Sequence, residues 1–236
     1  MPPRFYSSEP ISGESIQLTG DEVKHIVGAY RLGVGDDIVL FDGSGDEFAA
    51  KIEETHKKRV SVSILQRHSI SRELPFELVL AVALPKGDRQ KVMVEKLVEL
   101  GVTRLMPVNA ERSVVISNKK SVEKLHRRVI EASKQCGRNR LMEIAAPVAF
   151  TELLRNETET KIISHPYQSM PLCDFASDSL TAKKLIVAIG PEGGFTDEEV
   201  ELAKQAGWQS LALGPTILRV ETAAVGAAAL FGLGRL

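Results

Sequence analysis

From Leu78 to Leu233, short apolar runs alternate with stretches of helical spacing, and this alternation restricts the fold more than any other feature. The runs are Leu78 to Leu84, Leu105 to Val108, Lys161 to Ser164, Leu185 to Ile189 and Ser210 to Leu213. The segments between them predict helices over 88–100, from Ser121 to about Cys136, from Thr196, and from Ala223 to Leu233. Strands buried on both faces read as continuous apolar runs, and crossover helices cover those faces. The expected architecture is therefore a parallel sheet between helices. The two last runs end in glycine turns, Gly190-Pro191-Glu192-Gly193-Gly194 and Leu213-Gly214-Pro215, and Arg219-Val220-Glu221-Thr222 follows. Ligands of open α/β sheets bind beyond the carboxyl ends of the strands. Either loop alone reads as a tight turn; together they point to one shared pocket.

Residues 1–70 read differently. Asp36 to Asp42, Glu47 to Glu53 and Arg59 to Leu65 are strand candidates, the last strongly alternating, with Gly43-Ser44-Gly45 as a turn. Thr19 and Asp21 are candidate caps for a helix through Tyr30. Short strands with glycine turns suggest a small barrel. A polar stretch ending at Pro75 places the boundary near residue 70, leaving 71–236 for the α/β domain.

Composition narrows the function classes. The 236 residues are 43% hydrophobic and 26% charged, which allows one large or two modest domains. No apolar run reaches the roughly 18 residues of a membrane span. The segment MPPRFYSSEP lacks an apolar signal core, so a cytoplasmic protein is expected. Cys136 and Cys173 lack metal or redox spacing and read as reduced thiols. The five histidines are scattered, and no metal is implied. No P-loop, early Rossmann glycine loop or Gly-x-Ser-x-Gly elbow occurs. Residues 112 to 140 hold nine Lys/Arg against two Glu, the charge footprint of a phosphate backbone or of a solvated helix face. Among them Cys136 reads as core, and Arg138 as a surface arginine beyond a helix end.

The chain resembles the bacterial small-subunit ribosomal RNA uridine-N3 methyltransferases of the RsmE type, within the SPOUT class. The resemblance rests on the two late loops and on Pro2-Arg4-Phe5, His25 to Arg31, Gly35-Asp36, Leu40 to Gly43, Lys86 to Arg89, Glu99 to Val102 and Gln135 to Arg138, in order along nearly the whole chain. Val220, and Ala29-Tyr30 before Arg31, depart from the usual residues; Tyr30 is a candidate for stacking on a base. The resemblance implies an amino-terminal PUA-like RNA-binding β-barrel over 1–70 and a carboxyl-terminal SPOUT α/β domain with a trefoil knot over 71–236. It implies S-adenosylmethionine as methyl donor, held by His165, Gly190, Glu192, Gly193, Leu213, Gly214, Ile217, Leu218 and Arg219. It implies RNA contacts by Arg4, Arg31, Lys86, Arg89 and Arg138, to which the basic 112–140 stretch adds Arg127, Arg128 and Lys134. It also implies a homodimer through the last helix, which is apolar all round. For the chemistry, Arg138 or Arg219 would stabilise the uridine anion and Glu221 would take the N3 proton. Two other classes fit part of the pattern: a non-catalytic ribosome-associated RNA-binding protein, and a metabolite-binding α/β enzyme that ignores RNA.

Overall fold

The computed structural model describes residues 2–155, 157, 160–167, 170–171 and 182–233, without side chains at 119–121 and 170–171; Cys173 lies outside them. The chain forms two compact units. The first comprises Met1–Glu73 and Ser133–Leu141, the second Leu74–Ala132 and Met142–Leu236. The return of Ser133–Leu141 to the first unit has no counterpart in a division at residue 70.

The first unit holds a five-stranded sheet in the order β1-β3-β4-β5-β2, with β1 Arg4–Tyr6, β2 Ser15–Thr19, β3 Asp37–Phe41, β4 Glu47–Thr55 and β5 Arg59–His68. Only β1 and β3 run parallel. The alternation of β5 sends Val60 and Val62 inward, where they meet Phe5, Leu18, Ile38, Leu40, Phe48 and Ile52. The expected helix to Tyr30 exists but differs in kind. One α-turn, α1 Asp21–Val23, passes into a π-helix, Lys24–Ala29, where the Tyr30 amide donates to the His25 carbonyl (2.8 Å). Its N-cap is Gly20, at φ +69° and with no side-chain cap hydrogen bond, in place of Thr19 or Asp21.

The second unit is built on parallel strands in the order β11-β13-β10-β12-β6-β7-β8, and β9 also pairs with β7. These are β6 Glu77–Val82, β7 Arg104–Asn109, β8 Glu143–Ile144, β9 Val148–Ala149, β10 Thr160–Ser164, β11 Met170–Pro171, β12 Lys184–Ile189 and β13 Gln209–Ala212. β6 and β12 lie side by side and are buried at every position after the first, as their unbroken apolar runs predict. Helices α2 Asp88–Glu99, α4 Phe150–Leu153, α5 Asp197–Gln205 and α6 Val220–Leu233 belong to this unit, while α3 Lys119–Cys136 begins in it and ends in the first. α6 buries Val220, Ala223, Ala224, Ala227, Ala228 and Phe231 within its own chain, packing on α2, β6 and β12. Small side chains let its backbone approach: a Cβ on Gly232 would stand 3.0 Å from the Leu100 carbonyl.

Candidate active site

The two glycine loops lie beyond the ends of β12 and β13, and β10, between these strands, contributes Ser164 and His165. They enclose a crevice of about 630 Å³, open to solvent on one side. Gly194, at φ +70°, donates to the Pro191 carbonyl (2.8 Å) and closes the first turn. Gly190 has no room for a side chain, because a Cβ would meet the Phe195 ring at 3.0 Å. Thr196 then caps α5 by accepting from the Glu199 amide (3.1 Å), while Glu199 accepts from the amides of Thr196 and Glu111 (2.9 Å each). One buried carboxylate thus fixes the helix start to the segment after β7.

Seven of the expected cofactor residues line the crevice: His165, Gly190, Glu192, Leu213, Gly214, Ile217 and Leu218. Two do not. Gly193 accepts from Arg112 through its carbonyl (3.0 Å), and its Cβ would meet Arg112 at 3.3 Å. Arg219 is exposed, and its carbonyl takes the first helical bond of α6, from the Ala223 amide (2.8 Å). Pro166, Pro191 and Val220, which belong to the expected pocket loops, also line the crevice, as do Phe195 and Thr216, which were not singled out. Their signal was position, immediately after a strand end or beside a singled-out glycine. Gly214 differs from Gly190, since a Cβ there would meet nothing within 4 Å. Packing within the chain therefore does not require glycine at 214; a ligand lying over the main chain would.

At the crevice Arg89 faces two carboxylates. One guanidinium nitrogen lies 3.5 Å from Glu192 and another 3.8 Å from Glu221. Glu221 Oε2 is buried and accepts no hydrogen bond, so an acceptor stands vacant there. Arg89, expected on RNA, is instead grouped with the residues expected to hold cofactor and proton.

Other expected RNA residues divide by exposure. Arg31, Lys86, Arg127 and Arg128 are exposed, Arg31 at the left-handed φ of +57°. Arg4, Lys134 and Arg138 are turned inward within the first unit. Arg4 donates to Glu47 (2.7 Å) and Asn139 (2.6 Å), and Lys134 pairs with Glu22 (2.9 Å). Arg138, 4% exposed, grips both oxygens of Glu73. The RNA and catalytic roles expected of Arg4, Lys134 and Arg138 would require these pairs to open. A guanidinium already held by a buried carboxylate is poorly disposed to meet a phosphate or a developing uridine anion, because releasing it would strand the carboxylate.

A parallel sheet with a glycine-built crevice at its carboxyl ends, joined to a small β unit, defines a two-domain α/β ligand-binding protein. Residues 72–232 match the RNA methyltransferase domain model and residues 18–65 the RNA methyltransferase PUA domain model. The chain is 31% identical over 220 residues to the Ribosomal RNA small subunit methyltransferase E of Bacillus subtilis, covering 89% of this chain and 86% of that one. Among solved structures, a putative methyltransferase from Legionella pneumophila with bound SAM aligns at 33% identity and TM-score 0.91, over 99% of this chain and 98% of that one. A Ribosomal RNA small subunit methyltransferase E from Neisseria gonorrhoeae bound to S-adenosyl methionine aligns at 32% and 0.89, over 97% and 96%. The chain belongs to the RNA methyltransferase family.

Proposed function

We propose that this chain transfers a methyl group from S-adenosylmethionine to N3 of a uridine in small-subunit ribosomal RNA. The observation that carries the reading is the crevice itself. It lies at the strand ends, has apolar walls from Ile189, Leu213 and Leu218, and has a floor at Gly214 with room for a ligand against the backbone. Relatives of near-equal length, bound to this cofactor, support it.

S-adenosylmethionine supplies an electrophilic methyl group on a sulfonium. The chain's own residues do the rest. The glycine loops orient the donor and exclude water beneath it. Uridine N3 carries a proton and normally pairs, so the base must be unpaired or turned out before it reacts. Glu221 Oε2, buried and accepting no hydrogen bond, would take that proton. The N3–H bond breaks as N3–CH3 forms, leaving S-adenosylhomocysteine. Arg89 holds Glu221 and Glu192 against each other's repulsion. Arg219, exposed beside the crevice, is the cation nearest in sequence to Glu221 and retains the anion-stabilising role.

The finer expectations belong to the same reading: a trefoil knot in the second unit, a homodimer using the solvent side of α6, and action in the cytoplasm. Among the described residues no helix is long and apolar enough to cross a membrane. Calorimetry should detect S-adenosylmethionine binding, and mass spectrometry of ribosomal RNA from a deletion strain should lack one methyluridine, restored by the wild-type gene. Absence of cofactor binding at millimolar ligand overturns the reading.

A further inference from the structure

The first unit contains a second crevice, of about 500 Å³, lined by Ser44, Gly45, Asp46, Ser69 to Glu73, Asn139 and Arg140. Two carboxylates and two guanidiniums line it, and the unequal set of charges appears only when the residues paired with them from behind the lining are included. Asp46 pairs with Arg67, Glu47 with Arg4 and Arg72, and Glu73 with Arg138. Arg140 makes a fifth guanidinium against these three carboxylates. Asp42, just upstream, is taken by the amides of Ile11 (2.8 Å) and Ser44 (3.0 Å), and counting it still leaves positive charge in excess.

The excess has a definite location. Arg140 is exposed and, among the described residues, makes no hydrogen bond and no ion pair within 4 Å. Its guanidinium lies along the Gly45 backbone, where a Cβ would stand 3.0 Å from Nε and 3.2 Å from Nη2. Gly45, at φ +113°, thus admits the guanidinium as well as the turn. Ser71 Oγ accepts from the Glu73 amide (3.4 Å), which leaves its own hydrogen to donate, whereas the Ser44 hydroxyl is engaged with Asp42. A planar cation and a hydroxyl donor beside an open polar hollow suit a tetrahedral anion.

We propose that this crevice is a phosphate subsite for a single-stranded segment of the RNA substrate, with Arg140 contacting a phosphodiester oxygen and the hollow accommodating the attached ribose. The choice of RNA rests on the proposed function; the anion chemistry does not. The part-buried pairs of Arg4 and Arg138 shape the hollow from behind, and Arg72 lines it. That gives Gly137-Arg138-Asn139-Arg140 a division of labour in which Arg138 builds and Arg140 binds.

The test is fluorescence anisotropy of the full chain with a single-stranded fragment of small-subunit ribosomal RNA, across potassium chloride concentrations. Arg140→Gln should weaken binding roughly three- to ten-fold and lower the salt slope by about 0.7, the contribution of one phosphate on a single strand. Arg140→Lys should keep the slope and lose only part of the affinity, because the charge remains and the fork does not. Lys57→Gln, on an exposed lysine beyond the far end of β4, should leave the slope unchanged. Melting temperatures should change little, since Asp46, on which the Arg140 charge acts, keeps its bonds from Arg67 and Ser69. An unchanged slope in Arg140→Gln, an equal drop in Lys57→Gln, or wild type that binds no RNA overturns the subsite. Calorimetry with S-adenosylmethionine is run on the same proteins. Cofactor binding with an unchanged Arg140→Gln slope refutes the subsite alone, whereas the expected slope change without cofactor binding refutes the methyltransferase reading alone.

Discussion

Gly190 and Gly214 sit at corresponding turns, yet they are glycine for different reasons. A side chain at 190 strikes Phe195, and one at 214 enters open space. Gly214→Val should therefore fold with a melting temperature close to wild type and lose at least ten-fold in S-adenosylmethionine affinity by calorimetry. Gly190→Val should be destabilised outright. Equal loss of stability in both would remove the argument that a ligand lies over Gly214. The Arg89 group gives a second prediction. Arg89→Ala should slow single-turnover methylation about ten-fold or more, since preorganised charge near a reacting centre is commonly worth roughly 3 kcal/mol. Its RNA salt slope should stay at the wild-type value. On a Glu221→Gln background the same change should add little further loss. A reduced slope in Arg89→Ala would return Arg89 to the phosphate role expected from sequence.

Among the elements, α5 carries its start signal openly. Thr196 with Glu199 three positions on reads as a capping box, and the structure contains it. Thr196→Ala should cost about 1 kcal/mol in urea unfolding. Glu199→Ala should cost more, because it also strands the Glu111 amide. The parallel strands were legible because burial on both faces writes an unbroken apolar run. The π-helix was not, because its side-chain periodicity is close to that of an α-helix and only the backbone bonding differs. The pocket loops were legible from glycine at strand ends, whereas the Arg89–Glu192–Glu221 group joins three separate segments and leaves no local pattern. α6 read as apolar all round and thus as buried, but the sequence could not say against what. Ala228 is fully buried inside its own chain and Val225 only partly. Ala228→Asp should unfold the protein. Val225→Asp should keep the circular dichroism of the wild type and, if the solvent side of α6 is the dimer seam, convert a dimer to a monomer in light scattering.

For the molecule as a whole, the consequential ionic groups lie in the first unit. Hydrogen bonds from Ser69 and Arg67, with the charges of Arg67 and Arg140, hold the Asp46 carboxyl below its ordinary value. Burial pushes Glu47 up, but bonds from Arg72 and Arg4 outweigh it and the net shift is downward. A carboxylate with a depressed folded value stabilises the fold above its unfolded value, about 4, and that contribution disappears as pH falls through the folded value. Urea midpoints followed by circular dichroism should therefore fall below about pH 4, and Glu47→Gln should flatten that dependence while lowering stability at neutral pH. None of these pairings was legible in the sequence. Arg138 there is a surface arginine past a helix end, and its carboxylate stands 65 positions earlier. The same wiring bears on how the protein is made. On a ribosome, residues 1–73 emerge well before Ser133–Leu141. Until then Glu22 and Glu73 lack Lys134 and Arg138, Arg4 lacks Asn139, and Gly43 lacks the Leu141 side chain that covers it. The first domain in order of synthesis is thus completed only after much of the second has been translated, and a gene fragment ending at residue 73 would encode an unfinished fold.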